Sequence, residues 1–156
     1  MSHPIQCVAT WKGGFSGSGR ISSPGFTAPV TLPADHGGTT AGTNPEELLA
    51  AASASCFLAT LGILFEKHSI PYEAMTASAE LTLSEARPPS ITQIALTAKV
   101  LSNHDPVVLR DLAYSAKAIC VIGRALHPEL PVSLVVDIIG GDVRRRSSEE
   151  TMEVRS

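Results

Sequence analysis

From Leu48 to Phe65 the chain runs for 18 residues without a charge, "LLAAASASCFLATLGILF". No other stretch restricts the fold as much. A helix of that length is close to what a bilayer crossing needs. Composition argues against a span, because nine of the first thirteen positions are Ala, Ser, Thr or Cys and no second apolar segment is available to pair with it in lipid. A helix apolar on all sides is equally the signature of a buried central helix. In a chain of 156 residues one sheet gives such a helix too little cover, so a partner subunit is expected.

The helix has a marked start. Asn44 is a capping residue, Pro45 takes the first position where a missing N–H costs nothing, and Glu46 and Glu47 suit the positive end of the helix dipole. These signals predict a helix from Pro45 to about Lys67. Before it, "IQCVATW" at residues 5–11 alternates as a strand, "KGGFSGSG" reads as a turn, and residues 20–32 supply one or two short strands. Residues 33–42 read as an irregular loop. After it, "YEAMTASAELTLSE" and "ITQIALTAKVLS" alternate with period two on either side of "ARPPS", which predicts two long antiparallel strands. Asp105 and Pro106 repeat the cap-then-proline signal for a second helix through Ala118 or a little beyond. "PVSLVVDIIG" is a final strand. The expected fold class is α+β, with antiparallel sheet strands packed around two central helices in a single domain, residues 1–143, followed by a charged tail at 144–156.

Composition narrows the function classes. Apolar residues make up 44% of the chain, enough for an ordinary core, and twelve basic against fifteen acidic residues give a net charge of −3. With no basic stripe to track phosphates, nucleic acid is not an expected partner. "MSHPIQCVATW" has neither a charged n-region nor a long apolar run with a small-residue cleavage site, so a cytoplasmic location is expected.

Cys7, Cys56 and Cys120 are too few and too widely spaced for a disulfide scaffold or a Cys-x-x-Cys zinc site. In a reducing compartment such thiols are either inert core residues or redox chemistry. A peroxide-reducing cysteine has to be a thiolate, and its sulfenic acid has to be captured by a second thiol. Cys56 lies in the first helix and Cys120 at or just past the end of the second, so two packed helices could bring them together. Cys7 reads as a packed strand residue. His3, His36, His68, His104 and His127 show no metal-ligand spacing, and "GGFSGSG" precedes no capped helix that would cradle a phosphate. Neither a metal nor a cofactor is expected.

"GTNPEELLAAASASCF" resembles the signature of the OsmC/Ohr family of osmotically inducible and organic-hydroperoxide-resistance proteins, in which Thr-Asn-Pro-Glu leads into a helix carrying a peroxidatic cysteine. A second family mark, a cysteine near the end of a later helix, matches Cys120 in "AKAICVIGRAL". The order of elements agrees over roughly residues 5–140. The resemblance implies a thiol peroxidase for organic hydroperoxides, with Cys56 as attacking thiolate and Cys120 as resolving thiol. It also implies an intertwined homodimer and a dithiol reductant such as a lipoylated protein.

The same resemblance raises the question of what holds the thiolate. Cys56 is about eleven residues into its helix, too far from the N-terminus for the dipole to help, so a cation is expected. The family uses an arginine held by a glutamate, and Glu46 matches that glutamate. Yet Glu46 lies ten residues before Cys56, about 15 Å along the same axis. An antiparallel two-fold pairing would let Glu46 serve the partner's site, the arrangement expected here. For Glu47, ordinary dipole compensation is the expected role. Arg20 is the only arginine before Cys56, near but not on the family's hairpin position, and is the expected cation; His36 or Lys12 are the alternatives. The family's Cys-Pro-x-Ser is here Cys120-Val121-Ile122-Gly123, so the second helix could continue to a break at Gly123. Apolar walls from Leu48, Leu49, Phe57 and Leu61 would favour alkyl hydroperoxides over hydrogen peroxide. The alternative reading is a catalytically weak OsmC-like small-molecule binding or stress-response module, which kept the fold and lost the altered arginine and Cys-Pro positions.

Overall fold

Two segments of this chain build sheets in different ways, one around tight glycine turns and one around a helix. The structure, a computed structural model, describes residues 4–39, 41–126 and 128–140; the charged stretch 144–156 lies outside them, as do His3 and His127. The chain divides into two units, Met1–Leu49 and Ala50–Ser156.

In the first unit, β1 (Val8–Lys12), β2 (Ser18–Ser23) and β3 (Phe26–Thr31) form an antiparallel sheet in chain order. Gly13, at φ 96°, turns the chain after β1, and the Trp11 indole N–H donates to its carbonyl at 2.9 Å. Gly19 sits opposite Trp11, where a Cβ would run into the Thr10 carbonyl and the indole ring, so no other residue fits. Pro29 lies on the edge strand β3, the place a sheet tolerates a missing donor. Its carbonyl accepts the Thr43 N–H at 3.1 Å, and Thr31 N–H donates to Thr43 O at 2.8 Å. The loop between carries one 3₁₀ turn, Ala34–His36. Thr43 therefore fixes the chain just before the helix starts. The helix α1 (Pro45–Lys67) opens as the sequence predicts: Asn44 Oδ1 accepts the Glu47 N–H at 2.8 Å. Glu47 does more than offset the dipole, because its Oε2 accepts the Thr43 hydroxyl at 2.8 Å.

In the second unit, Phe57, Leu61 and Phe65 recur every four residues on one face of α1 and are fully buried. They pack with Leu96, Ala98 and Val100 of β5 (Ile91–Leu101) and with Leu109, Leu112, Ala113 and Ala116 of α2 (Pro106–Ile119). Each large side chain so buried contributes roughly 1.5–3 kcal/mol. Asp105 caps α2 by accepting the Val107 N–H at 2.8 Å. β4 (Ala74–Leu83) pairs antiparallel with β5, as the alternation predicts.

One expectation needs correction. β6 (Val132–Ile139) joins β5 in parallel, not antiparallel, because α2 and the short α3 (Val121–Ala125) carry the chain back across the sheet, and a strand reached through a helical crossover arrives in the same direction. The helix α1 is not buried all round within this chain, in line with the expectation that one sheet gives it too little cover. It is long and apolar enough to cross a membrane, but only 22% of its most apolar window is buried, and Ile63 is half exposed.

Candidate active site

The end of α2 shapes the site. Cys120 takes φ −56° and ψ 126°, which lifts it out of the helical region, while its N–H still reaches the Ala116 carbonyl at 2.9 Å. α3 begins at the next residue, and the Cys120 carbonyl accepts the Arg124 N–H at 2.9 Å. Helix continuation to a break at Gly123 is therefore overturned: the break is at Cys120, and Gly123 lies inside α3. Restarting the helix leaves first-turn N–H groups with no acceptor of their own. Those of Val121 and Ile122 point to the sulfur of Cys56 on α1.

Cys56 is half-buried and Cys120 buried, both as free thiols, and the two sulfurs are hydrogen-bonded to each other. Burial alone pushes the Cys56 thiol up. The Cys120 thiol, the N–H groups of Ile122 and Val121 and the Thr60 hydroxyl together outweigh burial, so its pKa lies below that of an ordinary cysteine. Thr60 has one proton to give, and its hydroxyl also lies 2.8 Å from the Cys56 carbonyl, so it divides between the two acceptors. For Cys120 burial is again the largest influence, and here the bond to Cys56 adds to it; the N–H groups of Gly123 and Ile122 oppose them, and the pKa is raised. Donor and acceptor are thus assigned. Of the two, Cys120 holds its proton more tightly and Cys56 gives its proton up more readily.

These neutral donors act on the Cys56 sulfur in addition to the cation expected from the sequence. All of them belong to the second unit, whereas Arg20 and Glu46 belong to the first. Arg20 stands exposed on β2, opposite Thr10 and Pro29. Glu46 lies in the first turn of α1, where its Oε2 is buried with no hydrogen-bond partner among the described residues. Lys12 ends β1 and His36 lies in the 3₁₀ turn. Cys7 is exposed and precedes β1, so it is not a packed strand residue.

Against Cys120, on the inner side of the second unit, lies a pocket of about 80 Å³ lined by Ser53, Phe57, Ile94, Leu96, Lys117, Cys120, Gly123, Leu126 and Val132. Of the walls expected from sequence, Phe57 lines it and Leu61 is buried in the core beside it. Sequence reasoning passed over Thr60, Ser53, Lys117 and the backbone of Val121 and Ile122. Helical spacing was an available signal for three of these, since Thr60 and Ser53 are within one turn of Cys56 and Lys117 is three residues before Cys120. The backbone donors left no such trace.

A cysteine with a lowered pKa hydrogen-bonded to a second thiol with a raised one is an arrangement that can support two-cysteine redox chemistry. Residues 36–135 match the family model described as OsmC-like protein, and the chain belongs to that family. An uncharacterized protein of Bacillus subtilis, YmaD, is 25% identical over 153 residues, covering 90% of this chain and 98% of that protein. Peroxiredoxin OsmC of Escherichia coli is 31% identical over 91 residues, which span 57% of this chain and 64% of that protein. Among solved structures, an organic hydroperoxide resistance protein OsmC from Legionella pneumophila superimposes with a TM-score of 0.73 at 23% identity, over 87% of this chain and 99% of that one. The α+β fold, with two sheets and three helices among the described residues, is that of its relatives. The family is one of hydroperoxide resistance.

Proposed function

We propose that this protein is a thiol-dependent peroxidase that reduces organic hydroperoxides through a Cys56–Cys120 disulfide. The observation that carries this reading is the hydrogen bond between the two sulfurs, with Cys56 displaced toward thiolate and Cys120 toward thiol. The Cys56 thiolate attacks the outer oxygen of ROOH, the O–O bond breaks, and the leaving alkoxide takes a proton to become the alcohol. Cys120 then attacks the sulfenic sulfur, its proton leaves with the hydroxyl as water, and the disulfide forms. A dithiol, such as a lipoylated protein, restores both thiols.

Apolar surroundings favour the alkyl substrate over hydrogen peroxide. The protein works as a cytoplasmic homodimer in which a second copy covers the exposed apolar sides of α1. The exposure of Ile63 and the low burial of that helix support this. Glu46 and Arg20 complete a site shared across the interface, a role supported by the unpaired buried oxygen of Glu46, which is costly unless a donor meets it. Residues 1–143 act as one domain, in keeping with a family match that runs across the boundary at Leu49.

Stopped-flow oxidation of the reduced protein by cumene hydroperoxide and by hydrogen peroxide tests the reading, with mass spectrometry of the Cys56–Cys120 crosslink. Organic-selective oxidation, abolished in Cys56→Ser and arrested after one turnover at sulfenic acid in Cys120→Ser, is expected. Full turnover by Cys56→Ser rules the mechanism out.

A further inference from the structure

The end of α2 away from Cys120 borders a second, larger cavity. Its volume is about 330 Å³, and its described lining is Pro71, Tyr72, Glu73, Ser102, Asn103 and His104. Cavities of this size hold small organic ligands. The thiols are remote from it, because the 14 residues of α2 put about 21 Å between the helix ends, with His104 before one and Cys120 at the other. Its walls are held in place. Ser102 is buried and uses its hydroxyl twice, donating to the Pro71 carbonyl at 2.6 Å and accepting the His104 N–H at 3.1 Å. Glu73 is tied by its backbone, its N–H donating to the Leu101 carbonyl at 2.8 Å, while the residue itself is exposed. Tyr72 leans on Phe65 with ring centroids 5.5 Å apart and stays 45% exposed.

Glu73 and His104 decide what such a cavity takes. The described lining holds the carboxylate of Glu73 and neither Lys nor Arg, so it favours a cation. A metal ion is the first candidate, and His104 argues against it. Its Nδ1 is buried with no hydrogen-bond partner among the described residues. Burial closes that nitrogen to a ligand, and a histidine that binds a metal through Nε2 donates its Nδ1–H to an acceptor behind the ring. Here that N–H would be buried and unmet, which is costly. An organic cation makes no such demand; a carboxylate and an aromatic ring face are enough to hold it. We propose that this cavity is a second ligand site, independent of the cysteine pair, which binds a small primary ammonium compound with its charge on the Glu73 carboxylate and its apolar body against Tyr72 and Pro71.

The test titrates the reduced full chain with phenethylamine and with phenethyl alcohol, which share ring and stem and differ in charge at neutral pH. Nitrogen–proton NMR follows the amides of Tyr72, Glu73, Asn103 and His104. Saturable shifts at these amides are expected, with the amine bound more tightly on the order of fivefold. Glu73→Gln brings the two probes level and Glu73→Lys puts the amine behind the alcohol, both with unchanged circular dichroism, since the Glu73 N–H bond to the sheet is kept. Absence of saturable shifts in the wild type, equal binding of the two probes, a preference undiminished in Glu73→Gln, or shifts led by residues beside Cys56 overturns the proposal. The readout involves neither sulfur, so it stands or falls apart from the peroxidase reading.

Discussion

The two units of the chain hold themselves together by different means. In Ala50–Ser156, six large side chains including Phe57, Phe65 and Ile94 are fully buried between helices and sheet. In Met1–Leu49 the buried apolar side chains are only Ile21 and Val30 among the described residues, while Phe15 is 80% and Val8 66% exposed. The second unit gains its stability from burial; the first relies on ladder hydrogen bonds, glycine turns and the Thr43 contacts. Cys56 and Cys120 both lie in the second unit, where close packing leaves side chains little freedom.

Core truncation should separate the units most strongly. Phe65→Ala removes a fully buried ring that also packs against Tyr72 at 5.5 Å, and is expected to lower unfolding stability by about 3–5 kcal/mol in urea titration. Trp11→Ala, on a residue 45% exposed in β1, should cost less than about 1.5 kcal/mol. Equal losses would break the comparison.

Val121→Pro probes the site with a smaller effect. Cys120 at ψ 126° already has the backbone that precedes proline, and the first position of α3 accepts one, so the fold should tolerate the change. What it removes is one N–H donor to the Cys56 sulfur. With that bond gone, the Cys56 pKa should rise toward that of an ordinary cysteine. Alkylation by iodoacetamide against pH measures it, and an unmoved profile would show that the backbone donors do not matter.

The two cysteines should also pull stability in opposite directions with pH. Cys56, with its folded pKa lowered, contributes stability that is present above its unfolded value, near 8.5, and is lost as pH falls through the lowered folded pKa. Cys120, with its folded pKa raised, contributes stability that is present below the unfolded value and is lost as pH rises through the folded one. Under reducing conditions, the stability of Cys56→Ser relative to wild type should therefore fall further behind as pH rises from the lowered pKa toward 8.5. The smallest effect is at the junction of the units: Asn44→Ala should cost about 1 kcal/mol of unfolding stability, through loss of the bond to the Glu47 N–H.

Much of the fold was legible because its signals are local. Both helices begin at the capped prolines, and β4 and β5 follow their alternation, with burial along β4 switching residue by residue. The parallel return of β6 was legible only in part, since strand, helix and strand in succession already imply a crossover. At the site, both cysteines stood out in the sequence and the second helix ends at Ile119, where its end was expected, whereas the new helix starting at Val121 did not stand out, because Gly123 reads as a break and not as an interior helical residue.

The sequence by itself determined where helices and strands start, which residues face inward on each, and which sulfurs were worth watching. Caps, turn glycines and periodicity act over a few residues, so the chain states them directly. Tertiary structure alone decided that Cys56 meets Cys120 and that Val121 and Ile122 turn their N–H groups to the first sulfur. Those contacts join residues more than sixty positions apart, and they form because the core brings α1 and α2 together, not because any short segment prefers them.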